Sequence, residues 1–163
     1  MRRSRLAMLT TVAVGAIAAL TLNAVVASGD DGSKHFKLFE HQTEFGFRTL
    51  DPTTVSVADT LGISSDLYTN AGKETKVGHA DVGCIVSSVA RPGGPEAECS
   101  FSAMLAGGEI SATGLVSFAA ATTPGGTFAI PVVGGTGKYR GAKGEISFSV
   151  INQTDTWDTF SLS

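Results

Sequence analysis

The segment with the most distinctive chemistry runs from Val133 to Glu145 and holds five glycines, two lysines and an arginine. A glycine-rich run with a lysine could bind phosphate, but a P-loop would need glycine at Val132 and serine or threonine at Tyr139. The dinucleotide fingerprint fails too, because Arg140 stands where its third glycine belongs. We therefore predict a tight structural turn between two strands, and no nucleotide site. Its key glycines are Gly134, Gly135, Gly137 and Gly141.

Two cysteines, Cys84 and Cys99, are the only thiols, and they flank a turn at 91–95. If the flanking strands pair antiparallel around that turn, Cys84 falls opposite Cys99. Cross-strand Cβ atoms lie about 4.5–5.5 Å apart, a separation that a disulfide can adjust to. An even cysteine count in a chain with an export signal favours a structural disulfide. A free catalytic thiol is the alternative.

Other catalytic constellations are weak in this sequence. The histidines His35, His41 and His79 are not at any tight metal-ligand spacing, so no metal site is predicted. No G-x-S-x-G nucleophile motif occurs. The single tryptophan, Trp157, is expected in the core or in the wall of a cavity.

Short segments of alternating apolar and polar residues fill the chain after residue 35, and no helical period follows the N-terminal apolar run. Strands are predicted near 36–47, 59–67, 76–89, 97–105, 109–118, 127–133, 145–151 and 156–162. In the first strand, strict alternation predicts one face with Phe36, Leu38, Glu40 and Gln42. The opposite face would then hold Phe39, His41, Thr43, Phe45 and Phe47.

Consecutive short strands joined by turns predict an all-β antiparallel meander. Eight strands can close into an up-and-down β-barrel, which removes the exposed sheet edges. A barrel of this size has room for side chains or for one small ligand.

The N-terminus carries Arg2, Arg3 and Arg5 and then no charge from residue 6 to residue 29. This pattern predicts a secretory signal peptide over 1–27, cleaved after Ala27; an uncleaved membrane anchor is the alternative. A flexible segment over 28–35 and one barrel domain over 36–163 would follow. Cleavage would leave nine basic residues of the 12 and all 15 acidic ones, a net charge of −6. That charge excludes nucleic acid and anionic membrane as expected partners.

Several motifs, in order along the chain, resemble the allene oxide cyclase barrel family, which is itself similar to plant dirigent proteins. The segment Gly134–Ala142 is the most specific of them. The other matching pieces are Phe39–Gln42, Ile63–Tyr68, Lys76–Gly78, Gly83–Cys84 and Gly107–Ile110. Together they cover about residues 36–163, and the export signal is typical of a bacterial secreted member.

The resemblance implies an eight-stranded barrel, a lumen for a small apolar ligand, and a homotrimer. In the plant cyclases a glutamate at the closed end favours charge separation as an epoxide opens, and it aligns with Glu40. The family's two asparagines align with Gln42 and Ser65, and its proline with Thr49. We therefore expect Glu40 to be the catalytic carboxylate. The ligand-binding residues expected near it are Phe36, Leu38, Gln42 and Ser65.

Two functions fit these observations. The first is an exported barrel that binds a small apolar molecule and steers its cyclisation or stereoselective coupling, as an isomerase that needs no cofactor. The second is a non-catalytic secreted binding or structural module whose barrel is filled with side chains. An open cavity ending at Glu40 favours the first. The second requires a lumen packed shut by Phe36, Phe101, Phe118 and Phe148.

Overall fold

The computed structural model describes residues 33–49 and 51–163, so the predicted signal peptide lies outside the described residues. Eight antiparallel strands follow one another in chain order, and β1 also pairs with β8, which closes the sheet. The predicted all-β, eight-stranded antiparallel barrel is confirmed. Its strands are β1 (Lys34–Arg48), β2 (Thr60–Tyr68), β3 (Lys76–Ser88), β4 (Glu96–Leu105), β5 (Gly108–Ser117), β6 (Thr127–Gly135), β7 (Gly144–Val150) and β8 (Asp155–Leu162).

Two features differ from the sequence-based prediction. Strand β1 begins at Lys34, and Lys34 and His35 pair with the end of β8, so both belong to the barrel rather than to a flexible start. A five-residue helix, α1 (Phe118–Thr122), connects β5 to β6. A helix of little more than one turn is too short to show a helical period in sequence, which is why it escaped prediction.

The disulfide between Cys84 and Cys99 is present, as predicted from the register. The two residues are direct partners in the ladder between β3 and β4. The bridge joins residues 15 apart in sequence. In the chain-entropy model, a disulfide that closes a loop of this size stabilises the fold by about 3 kcal/mol.

The end of the barrel where β1 begins is closed by packed side chains. The side chains of Phe101, Phe160 and Ile146 are fully buried in the interior toward this end. The ring of Phe36 stacks on that of Phe160 with centroids 4.6 Å apart. The ring of Tyr139 also lies near that of Phe36, with centroids 6.4 Å apart. The aromatic packing seals this end against solvent.

The glycine-rich segment forms the connection that carries Tyr139 to this position. Strand β6 extends through Gly134 and Gly135, so the turn itself covers 136–143 and contains a 3₁₀ turn at Gly137–Tyr139. Gly137 has a φ of +57°, and a Cβ there would lie 2.3 Å from the carbonyl oxygen of Gly107. Only glycine fits that close approach without strain. Gly141 also has a positive φ, whereas Gly134 has open space around it.

Candidate functional site

A β-bulge in β1 determines which side chains face the interior of the barrel. Gln42 pairs with Ser65 and Glu44 pairs with Ser64, so Thr43 is an extra residue in β1. The Thr43 hydroxyl donates to the Ser64 carbonyl at 3.0 Å. Because one inserted residue resets the alternation, Phe45 and Phe47 turn to the same side as Glu40. The prediction that they lie on the opposite face is wrong.

The interior holds a cavity of about 560 Å³. It opens at the end of the barrel that carries α1 and the 151–154 connection, opposite the end sealed by Phe36. The volume is within the range of small-molecule sites. The lumen is therefore not packed shut. The lining residues are Glu40, Gln42, Phe45, Phe47, Leu61, Ile63, Ser65, Val82, Cys84, Cys99, Phe101, Val116, Phe118, Ala121, Thr122, Phe128, Ile130, Phe148, Asn152, Gln153, Thr154 and Thr156.

The walls and the mouth of this cavity are mainly apolar. Phe128 stacks on Phe148 at 4.7 Å, and Phe101 meets Phe148 edge-on at 5.4 Å, so these rings form a wall instead of filling the space. At the mouth, Phe45 and Phe47 are 60% and 41% exposed. Large apolar side chains left open beside a cavity are typical of a ligand entrance. The Cys84–Cys99 disulfide also borders the lumen.

A polar group lies at the deep end of the cavity. Glu40 is only 8% exposed, and Thr156 is its direct partner across the β1–β8 ladder. The Thr156 hydroxyl lies 3.2 Å from Glu40 Oε2 and 2.9 Å from Asp158 Oδ1. A hydroxyl has one hydrogen, so it donates to only one of these carboxyl groups at a time. The expected carboxylate is thus accompanied by a second acid.

Asp158 is that second acid, and sequence reasoning missed it. It has no exposed surface and shares the inward face of β8 with Thr156 and Phe160. Burial, followed by the charge and hydrogen bond of Glu40, raises the pKa of Asp158 well above its usual range; the hydrogen bond from Thr156 opposes the shift. Burial therefore favours the protonated form of the Asp158 carboxyl. The sequence did contain an indication: Asp158 alternates with Phe160 and Leu162, so it falls on the same inward face of β8 as these two apolar residues.

Two buried polar atoms near Glu40 have no hydrogen-bond partner among the described residues. They are Ser65 Oγ and Asp158 Oδ2. Both side chains lie diagonally from Glu40 in the ladders, Ser65 in β2 and Asp158 in β8. Buried polar groups are normally paired. Of these two residues, Ser65 lines the cavity and Asp158 does not.

The other residues singled out from the sequence take different positions. Gln42 and Ser65 line the cavity with Glu40. Phe36 and Leu38 do not line it: they pack below Glu40 in the sealed end of the barrel. Trp157, expected in the core or cavity wall, points outward, where it meets Phe39 edge-on at 5.2 Å. The Trp157 prediction is wrong because the inward residues of β8 are the even-numbered ones.

Within 33–49 and 51–163, no group of three or more histidine, cysteine or acidic side chains is arranged to hold a metal ion. In the same residues, no helix has the length and apolar character needed to cross a membrane.

Comparison with known proteins identifies a family with this architecture. The family model described as an allene oxide cyclase barrel-like domain matches residues 39–162. A search of curated proteins finds no match to this sequence.

Solved structures share the fold at low sequence identity. A structure named pyocyanin demethylase is 23% identical with a TM-score of 0.65, over 78% of this chain and 98% of that one. The exo-specific intermolecular Diels-Alderase AbnU is 21% identical with a TM-score of 0.64, over 78% and 97% of the two chains. The Diels-Alderase AbmU from Streptomyces koyangensis is 16% identical with a TM-score of 0.65, over 83% and 70%.

Proposed function

The chain belongs to the allene oxide cyclase barrel-like family, and we propose that its lumen binds a small apolar molecule and steers that molecule's cyclisation. Ring closure within a bound molecule is an isomerisation, so it requires neither an oxidant nor a leaving group. The barrel contributes by holding the flexible ligand in a conformation close to the reacting one. In this proposal, Glu40 contributes electrostatic stabilisation of the charge that develops as the ring closes.

The observation that carries this proposal is the open cavity of about 560 Å³, apolar along its walls and polar where it meets Glu40. A cavity of that volume can bury a folded molecule of drug-like size. Two solved structures of the same fold bear the names of Diels-Alderases, which supports ring formation as the class of reaction. The second function, a barrel filled with side chains, has less support, because Phe101, Phe118 and Phe148 stand around the cavity.

Glu40 acts, in this proposal, on charge that develops in the bound ligand. The carboxyl group lies at the deep end of a largely apolar cavity and is 8% exposed. A fixed charge in such a low-dielectric site interacts more strongly with a developing positive charge than it would in water. The Thr156 hydroxyl at 3.2 Å helps to hold the carboxyl group in place before the reaction begins.

The substitution Glu40→Gln tests this role because it keeps the shape and removes the charge. The ligand is first identified by solvent extraction of the purified exported protein and mass spectrometry. We then expect Glu40→Gln to lower turnover about 10- to 100-fold when that molecule is present at saturating concentration. Glu44→Gln is the matched control, since Glu44 lies on the same strand and is exposed. Equal turnover in wild type and Glu40→Gln would refute the catalytic role, and absence of any bound apolar molecule would refute the lumen as the site.

We also propose that the barrel is exported after cleavage of the N-terminal segment and assembles as a homotrimer. The first part rests on the signal-like N-terminus and on the Cys84–Cys99 disulfide, which forms in oxidising compartments. The second rests on the family resemblance. Light scattering on the purified barrel measures the mass directly, and a monomer mass at micromolar concentration would exclude the trimer.

A further inference from the structure

We propose that the deep end of the lumen is a binding site for a protonated amine, so that the natural ligand is an apolar molecule with an ammonium group at its buried end. This inference rests on the proposed function, because it names the ligand class of the same cavity. The site consists of Glu40, Thr156 and Ser65, which line the cavity, together with Asp158, which contacts the Thr156 hydroxyl and is not itself a lining residue.

The first argument is the buried polar atoms near Glu40 that have no hydrogen-bond partner among the described residues. Ser65 Oγ and Asp158 Oδ2 are both buried without a partner, with side chains 1% and 0% exposed. Glu40 lies between them in the wall and has one hydroxyl, that of Thr156, beside its Oε2. Glu40 and Ser65 both line the cavity as diagonal neighbours, a spacing of about 7–8 Å that one group placed between them can reach. An ammonium group has three N–H donors and no acceptor, which suits such a site.

The second argument is the sign of the charge. The carboxyl groups of Glu40 and Asp158 lie together in a largely apolar enclosure, where the Thr156 hydroxyl contacts both. No lysine, arginine or histidine lines the cavity among the described residues. Lys37 and His41 belong to the outer face of β1: Lys37 lies over the Trp157 ring, and His41 pairs with Asp155. A buried negative charge without a cation is unfavourable, so a cationic ligand is favoured over a neutral one and a carboxylate ligand is disfavoured.

The third argument is proton linkage. Burial raises the pKa of Asp158, and an ammonium group bound nearby favours its ionised form, so binding should release up to one proton. No other titratable side chain contributes from the surrounding strands. Among described residues, the inward side chains around the pair are Leu38, Gln42, Ser65, Leu67, Phe148, Val150, Thr156 and Phe160.

Three probes of similar size and the same phenyl group test the inference by calorimetry on the purified barrel: 4-phenylbutylamine, 4-phenylbutanol and 4-phenylbutyrate. We expect the amine to bind about tenfold or more tightly than the alcohol, and the carboxylate to bind weakest. Titrations in phosphate and in Tris should show proton release with the amine and none with the alcohol. Glu40→Gln and Asp158→Asn should each reduce the preference for the amine, whereas Glu44→Gln should keep it.

The outcomes separate this inference from the proposed function. If the alcohol binds as tightly as the amine, the lumen is a site for apolar molecules but not for cations, and only this inference is overturned. If none of the three probes binds, and the neutral dye Nile red does not bind either, the lumen itself is not a ligand site and both proposals fall. Proton release on binding of the amine to the wild-type protein tests the inference even if a variant fails to fold, and its absence would overturn the inference.

Discussion

Replacing Asp158 by asparagine should make the protein more stable at neutral pH. Burial and the charge of Glu40 raise the pKa of this carboxyl in the native state well above 3.8. In the unfolded chain the same group loses its proton above about pH 4. The native state then holds more protons than the unfolded state, so the free energy of unfolding falls as pH rises from about 4 towards the native pKa. Asparagine has the same shape and no such dependence.

The magnitude follows from the number of protons involved. One proton gives a slope of at most about 1.4 kcal/mol per pH unit, so the loss between pH 4 and pH 6 can reach about 2.7 kcal/mol. The side-chain amide that asparagine places here can still donate a hydrogen bond to Glu40, which limits the cost of the substitution. We therefore expect Asp158→Asn to gain at least about 1 kcal/mol at pH 7, or a rise of roughly 3–5 °C in Tm.

Urea unfolding at pH 4, 5, 6 and 7, followed by the fluorescence of the single tryptophan, measures the effect. Asp155→Asn is the matched control, because it makes the same change three residues earlier in β8. Burial raises the pKa of Asp155, but hydrogen bonds from Asn152 and His41 together with the charges of Lys73 and His41 outweigh it and hold that pKa below 3.8. Its contribution to stability is present above about pH 4 and is lost as pH falls through the lowered pKa. Asp155→Asn should therefore lower stability at pH 7.

The comparison between the two variants decides whether the reasoning holds. Asp158→Asn should differ little from wild type near pH 3 and diverge from it as pH rises. Curves for wild type and Asp158→Asn that stay parallel from pH 4 to pH 7 would show that Asp158 does not carry a shifted proton. A loss of stability at pH 7 would show that the carboxyl group is ionised and paired there.

Three further predictions concern the rest of the chain. The native protein should expose no thiol to alkylation before reduction, and two reactive thiols in unreduced protein would contradict the disulfide. Replacing both Cys84 and Cys99 by alanine should lower the free energy of unfolding by about 3 kcal/mol. Gly137→Val should destabilise the fold by about 2 kcal/mol or more, whereas Gly134→Ala should have little effect, because only Gly137 combines a positive φ with a close backbone contact. ATP should leave the melting points of both variants unchanged. A rise in melting point with nucleotide would contradict the structural role of this turn. N-terminal sequencing of the exported protein should begin at Ser28, and a start at Met1 would indicate an uncleaved anchor.

The sequence predicted the barrel well because its pattern is local and repeated. Each strand shows the period of two, and the turns between the strands carry glycine, proline or polar residues. The pairing of Cys84 with Cys99 followed from the same regularity, since a single turn between two regular strands determines which residues face each other. The family motifs pointed to Glu40 at the cavity, and the described structure places it there.

Only the tertiary structure decided the composition of the site. One inserted residue at Thr43 reverses the faces of β1 beyond it, and nothing in a period-two pattern marks where such a bulge falls. The partnership of Glu40 with Asp158 joins residues far apart in sequence, and it exists because closure of the barrel pairs β1 with β8. Phe36 and Leu38 share the face of Glu40, yet height along the barrel axis places them in the sealed end. Alternation specifies the face of a side chain, whereas depth and neighbours depend on how the closed sheet is filled.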